Sequence, residues 1–69
     1  MKSFIEVTEA ELGDKMLLSI SSIQSVYRKN NGGGCTIETI MNNDKSYYVM
    51  SLDVRESYNK LRKILLGEN

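Results

Sequence analysis

A chain of 69 residues makes one small domain that buries only about 60% of its unfolded surface, so it calls for a disulfide, a metal or a partner subunit. A single cysteine, Cys35, and no histidine exclude an intrachain disulfide and leave zinc without its usual donors, so the remaining supports are self-association or a core good enough on its own. Nine basic and nine acidic residues cancel, which removes any general attraction to nucleic acid or an anionic membrane.

Phe4-Ile5-Glu6-Val7-Thr8 reads as a short strand, β-branched and aromatic with acid interleaved. Glu9 to Lys15 turns the chain around Gly13-Asp14. Met16 to Ile20 makes a second strand, whose Met16, Leu18 and Ile20 share one face at period two and point to the core. Ser21-Ser22 interrupts the apolar run. Their hydroxyls bond nearby backbone readily, which suits a bend or bulge. A third strand runs from Ile23 to Lys29, with Ile23 and Tyr27 on one face and Val26 on the other, and this pattern does not choose the buried face.

Asn30-Asn31-Gly32-Gly33-Gly34 is a hairpin turn, because Asn-Gly supplies the positive φ angles that tight turns need. It leads into a fourth strand, Cys35 to Met41, followed by a turn at Asn42-Asn43-Asp44-Lys45. The fifth strand, Ser46 to Arg55, alternates strictly. Tyr48, Met50, Leu52 and Val54 form a half-buried face, and Tyr47, Val49, Ser51, Asp53 and Arg55 form the other. A helix starting early, with Asp53 as N-cap and Glu56 completing a capping box, competes with this reading. Four alternating apolar residues outweigh one cap motif, so Ser57 becomes the N-cap. The helix then runs from about Tyr58 to Leu66, with Tyr58, Leu61, Ile64 and Leu65 as its apolar stripe and Gly67 at the C-terminal cap. The expected fold is α+β: a curled antiparallel meander of about five strands with one C-terminal helix, in a single domain over residues 1–69.

No motif assembles catalytic machinery. Gly32 to Gly34 lacks the Gly-Lys-Ser/Thr ending and the following helix that a phosphate loop needs, and a strand follows instead. Cys35 has no histidine to activate it, although a nearby Lys or Arg lowers a thiol's pKa in some settings. Glu6, Glu9 and Glu11 show no pairing that fixes acid and base roles. No cofactor and no metal is expected. Charge is mildly uneven: Lys2 against Glu6, Glu9, Glu11 and Asp14 makes residues 1–14 acidic, and the remainder is basic. Tyr27, Tyr47 and Tyr48 lie near Arg28, Lys29 and Lys45, a combination that stacks unpaired bases in some sheets. If nucleic acid binds, Arg28, Lys29, Arg55, Lys60, Arg62 and Lys63 are the candidate contacts.

Several segments together resemble the flagellar FlbD-type small proteins: Ile5-Glu6-Val7-Thr8, Leu18 to Val26, Thr36-Ile37-Glu38-Thr39-Ile40, Tyr48-Val49 and Val54-Arg55-Glu56-Ser57. Those proteins open with an Ile-x-Val-Thr strand, continue through an Ile-centred bend and a Thr-x-Ile strand, and end with Val-x-Glu-Ser leading into a short helix. The first half of LytTR-type DNA-binding domains has a comparable strand, bend and strand. The resemblance implies a strand-to-helix junction at Val54–Ser57 and no enzymatic activity.

Missing catalytic groups, a small core and apolar side chains on mixed strand faces point to a non-enzymatic interaction or regulatory module. Its partner is a protein or a second copy. A nucleic-acid-binding regulator is the alternative, and a small thiol-dependent enzyme using Cys35 is the third. No run approaches the ~20 apolar residues of a membrane span, and no signal-peptide core follows Met1, so no membrane partner and a cytoplasmic location are expected.

Overall fold

The computed structural model describes residues 4–29, 33–42 and 46–67. Five strands precede one helix: β1 Phe4–Thr8, β2 Lys15–Ser19, a 3-10 turn Ile20–Ser22, β3 Ile23–Arg28, β4 Cys35–Asn42, β5 Tyr47–Val54 and α1 Tyr58–Leu66. The α+β class, the strand order and the C-terminal helix match the sequence expectation. The single curled five-stranded sheet does not. β1 and β2 form one antiparallel pair, and β3, β4 and β5 form a separate antiparallel sheet in that order.

The break has a local cause. The 3-10 turn Ile20–Ser22 closes on itself through the Ile23 N–H donating to the Ile20 carbonyl, so β2 does not run on into β3. Ser19 and Ser21 share a hydroxyl hydrogen bond of 2.9 Å across this turn. Among the described residues, the two sheets are joined by one isolated bridge, Glu9 with Val54. There Arg55 N–H donates to the Thr8 carbonyl at 2.9 Å and Ala10 N–H to the Asp53 carbonyl at 3.0 Å.

A β-bulge between Ile23 and Ser25 corrects the face assignment of the third strand. The extra residue shifts the pleat by one position, which puts Ile23 on the same side as Val26. Both pack against the core, whereas Tyr27 is exposed. In β1 and β2 the period is undisturbed: Ile5 lies opposite Leu18 and Val7 opposite Met16. Ile5 and Val7 are buried, and Met16, Leu18 and Ile20 pack partly buried against them.

The core is small: Ile5, Val7, Cys35, Ile37, Val54 and Leu61. It sits where the Cys35–Val54 end of the three-stranded sheet meets β1 and α1. The helix begins and ends as its caps dictate. Ser57 Oγ accepts from Lys60 N–H, and Gly67, at φ 71°, donates its N–H to the Lys63 carbonyl. Asp53 belongs to β5 and caps nothing. Of the expected helical stripe, Leu61 is fully buried and Tyr58 and Leu65 pack against the core, but Ile64 is exposed. Asn30, Asn31 and Gly32 of the first expected hairpin turn, and Asn43, Asp44 and Lys45 of the second, lie outside the described residues. No described helix is long and apolar enough to cross a membrane.

Candidate functional site

β4 and β5 pair over their whole length, from Cys35 with Val54 to Asn42 with Tyr47. Their neighbours are shorter. β3 reaches only as far as Thr39, where it meets Ile23. The buried side chains of this hairpin, Cys35, Ile37 and Val54, gather toward one end of it. That end, with Leu52, lies over the core; Thr39 is still buried, and beyond it the two strands extend past the core.

The overhang is apolar on both faces. Met41, Tyr47, Tyr48, Val49 and Met50 are between 40% and 70% exposed. Register places Tyr48 and Met50 on the core-side face, beside Met41 and Thr39, and Tyr47 and Val49 on the outer face. The half-buried alternating face expected of β5 is thus only half realised: Val54 is buried and Leu52 partly so, while Tyr48 and Met50 stand clear of the core.

The backbone of this half is open as well. Among the described residues, β5 is an edge strand, bonded on one side to β4 and met on the other only at Val54 by Glu9. The Asp53 carbonyl and the Arg55 N–H point away from β4, toward β1. Backbone direction alternates with period two in an antiparallel ladder. The N–H and C=O groups of Tyr47, Val49 and Ser51 therefore point to the open edge, and those of Tyr48, Met50 and Leu52 toward β4. No charged residue lies between Tyr47 and Leu52.

The six basic candidates are placed as follows. Arg28 ends β3 and sets its guanidinium over the Tyr58 ring, 4.9 Å from the centroid. Lys29 pairs with Asp53 at 3.6 Å. Both line a shallow cleft of about 200 Å³ with Gly34, Ser57, Tyr58 and Asn59. Arg62 lines a second cleft of about 210 Å³, with Val26, Tyr58, Leu65 and Leu66. Arg55 turns instead to the β1–β2 connection, where its Nε donates to the Ala10 carbonyl at 3.1 Å. Lys60 and Lys63 are exposed on α1 and line neither cleft.

The tyrosines do not share a face. Tyr27 and Tyr47 lie on the outer face and Tyr48 on the core-side face. The outer face also carries acid: Tyr27 donates its hydroxyl to Glu38 at 3.0 Å, and Thr36 donates to Asp53 at 2.7 Å. The Thr36 hydroxyl and the Lys29 charge hold the Asp53 carboxyl below its ordinary value, so it stays ionised.

Cys35 is fully buried and its thiol donates to the Glu56 carbonyl at 3.3 Å. Burial pushes its pKa up, and the charges of Glu56 and Asp53 add to that against Lys29. Such a thiol is held protonated. Among the described residues, no group of three or more His, Cys, Asp or Glu side chains is arranged to hold a metal ion.

The carboxylate of Glu56 ties β1 to the β5–α1 junction. It accepts from the Thr8 N–H and the Thr8 hydroxyl, each at 2.8 Å. Lys15 Nζ donates to the same hydroxyl at 2.9 Å. The sequence offers Glu56 as half of a competing helix cap and as part of the Val-x-Glu-Ser junction. The signal for its real partner, 48 residues away, lies in no local pattern.

No family model, no curated protein and no solved structure matches the chain.

Proposed function

We propose that the chain is a non-enzymatic protein-interaction module that self-associates through the overhanging half of the β4–β5 hairpin. One observation carries this reading: Tyr47 to Met50 combine exposed apolar side chains on both faces with an open backbone edge. Exposed edge strands are normally guarded by charge, proline or a bulge, because they template pairing with other chains. β2 opens with Lys15, and β3 ends in Arg28 followed by Lys29. The stretch Tyr47–Leu52 carries none of these guards. A functional surface explains that exception, and it supplies the support that a core this small among the described residues calls for.

Cys35 supports the non-enzymatic side of the reading. A buried, protonated thiol bonded to a carbonyl has neither the access nor the charge of a nucleophile. The nucleic-acid reading gains no comparable support, since Arg28, Lys29 and Arg55 are engaged within the chain and Glu38 and Asp53 share the outer face with Tyr27.

Sedimentation equilibrium at micromolar concentration tests the proposal. The expected result is a mass above the 7.8 kDa of one chain, returning to one chain in Val49→Lys with an unchanged circular dichroism spectrum. A wild-type protein that stays at one chain across that range overturns it.

A further inference from the structure

We infer that the occupant of the open β5 edge is the β5 strand of a second copy, running antiparallel with Val49 on the two-fold axis. This inference rests on the self-association proposed above and adds its geometry.

The register follows from which backbone groups are free to pair. Asp53 is already taken, because its carbonyl accepts from Ala10 N–H. The outward ladder is therefore limited to Tyr47, Val49 and Ser51 within β5. A two-fold axis perpendicular to a sheet sets residue i against residue j with a constant even sum. Centring on Val49 sets Val49 against itself and Tyr47 against Ser51 in both directions. All three outward positions then pair, giving about six hydrogen bonds. Centring on Tyr48 or Met50 leaves one of the three without a partner. The Val49 register thus makes the largest use of the open edge and stops where the Glu9–Val54 bridge begins.

The neutrality of the edge suits a second copy of itself. Tyr47–Leu52 is neutral in a chain where 26% of residues are charged. A neutral strand meets its own copy without like-charge contact and without burying an unpaired ion. The side chains also match. In this register Tyr48 of each copy lies opposite Met50 of the other on the core-side face, an aromatic–thioether pair that forms twice. Val49 meets Val49 on the outer face. The two three-stranded sheets join into one continuous sheet, and the Tyr48, Met50 and Met41 side chains that each copy leaves exposed become contiguous.

Disulfide trapping in the full chain tests the register. Opposed residues in antiparallel strands have Cα atoms about 4.5–5.5 Å apart, within disulfide range. V49C is expected to oxidise to a dimer on a non-reducing gel. A mixture of Y48C with M50C is expected to cross-link more completely than either alone. L17C, exposed on β2, serves as the control for random collision, and buried Cys35 is left in place. If wild type sediments as twice 7.8 kDa but V49C cross-links no better than L17C, the antiparallel register is overturned and the self-association proposal stands. If wild type sediments as a single chain, both fall.

Discussion

Thr8 and Glu56 are joined twice: the backbone N–H and the hydroxyl of Thr8 both donate to the Glu56 carboxylate, each at 2.8 Å. This contact holds the end of β1 against the start of the helical segment, beside the Glu9–Val54 bridge between the two sheets. Thr8 is buried, so removing its acceptor leaves polar groups short of a partner.

The pH dependence of stability follows from that pair. Burial pushes the Glu56 carboxyl up, but the Thr8 donors outweigh it, with help from the Lys60 charge, and its pKa lies below the ordinary value of 4.5. A carboxyl with a depressed folded pKa stabilises fully above its unfolded pKa, and that contribution disappears as pH falls through the folded value. Glu56→Gln is expected to cost about 1 kcal/mol at pH 7 and to flatten the loss of stability below about pH 4.5. Urea denaturation of both proteins at pH 7 and pH 3 checks this. An equal difference at both pH values counts against it.

Gly34 is a structural glycine rather than loose hairpin. At φ 70°, a Cβ there would run into the Val54 carbonyl oxygen. Gly34→Ala is expected to destabilise by more than about 1 kcal/mol, because it adds backbone strain to a backbone clash. Gly33, with open space around its Cα, is the control: Gly33→Ala changes the thermal midpoint little.

Cys35 is expected to react slowly with a thiol reagent at pH 7, at a rate set by opening of the fold. Its sulfur is buried and its thiol is held protonated. Reaction becomes fast in denaturant. Leu61→Ala, which empties a fully buried position and costs about 2–5 kcal/mol, is expected to speed the native-state reaction as well. Rapid labelling of the folded wild type refutes this.

The helix was legible because its signals are local: Ser57, the 58-61-65 spacing and Gly67 all lie within one stretch. β1 and the alternation of β5 were legible for the same reason. The bulge at Ile23/Ser25 was not, because nothing in Ile23-Gln24-Ser25 marks an extra residue, and its effect was to reverse the side on which Ile23 lies. The division into two sheets starts at the 3-10 turn Ile20–Ser22, and the sheets then meet at Glu9 and Val54, residues 45 apart, a contact that no local pattern marks. The exposure of Tyr48 and Met50 was half legible. Their alternation marks a strand face correctly, but which end stays uncovered depends on where the core gathers, at Cys35, Ile37 and Val54, and no local pattern shows that.

The direction of the backbone along β5 is open to a test that needs no partner. The Arg55 N–H donates to Thr8 on the β1 side, so the Val49 N–H points outward and the Met50 N–H points to β4. Proline removes an N–H and is tolerated in a strand only where that group faces away from the ladder. Val49→Pro is therefore expected to keep the fold with a modest loss of stability. Met50→Pro breaks a β4–β5 hydrogen bond, clashes within the ladder and is expected to cost about 3 kcal/mol or more. Thermal denaturation followed by circular dichroism ranks the two. If Met50→Pro is the milder change, the outward positions are Tyr48, Met50 and Leu52, and an edge pairing centred on Val49 loses its hydrogen bonds.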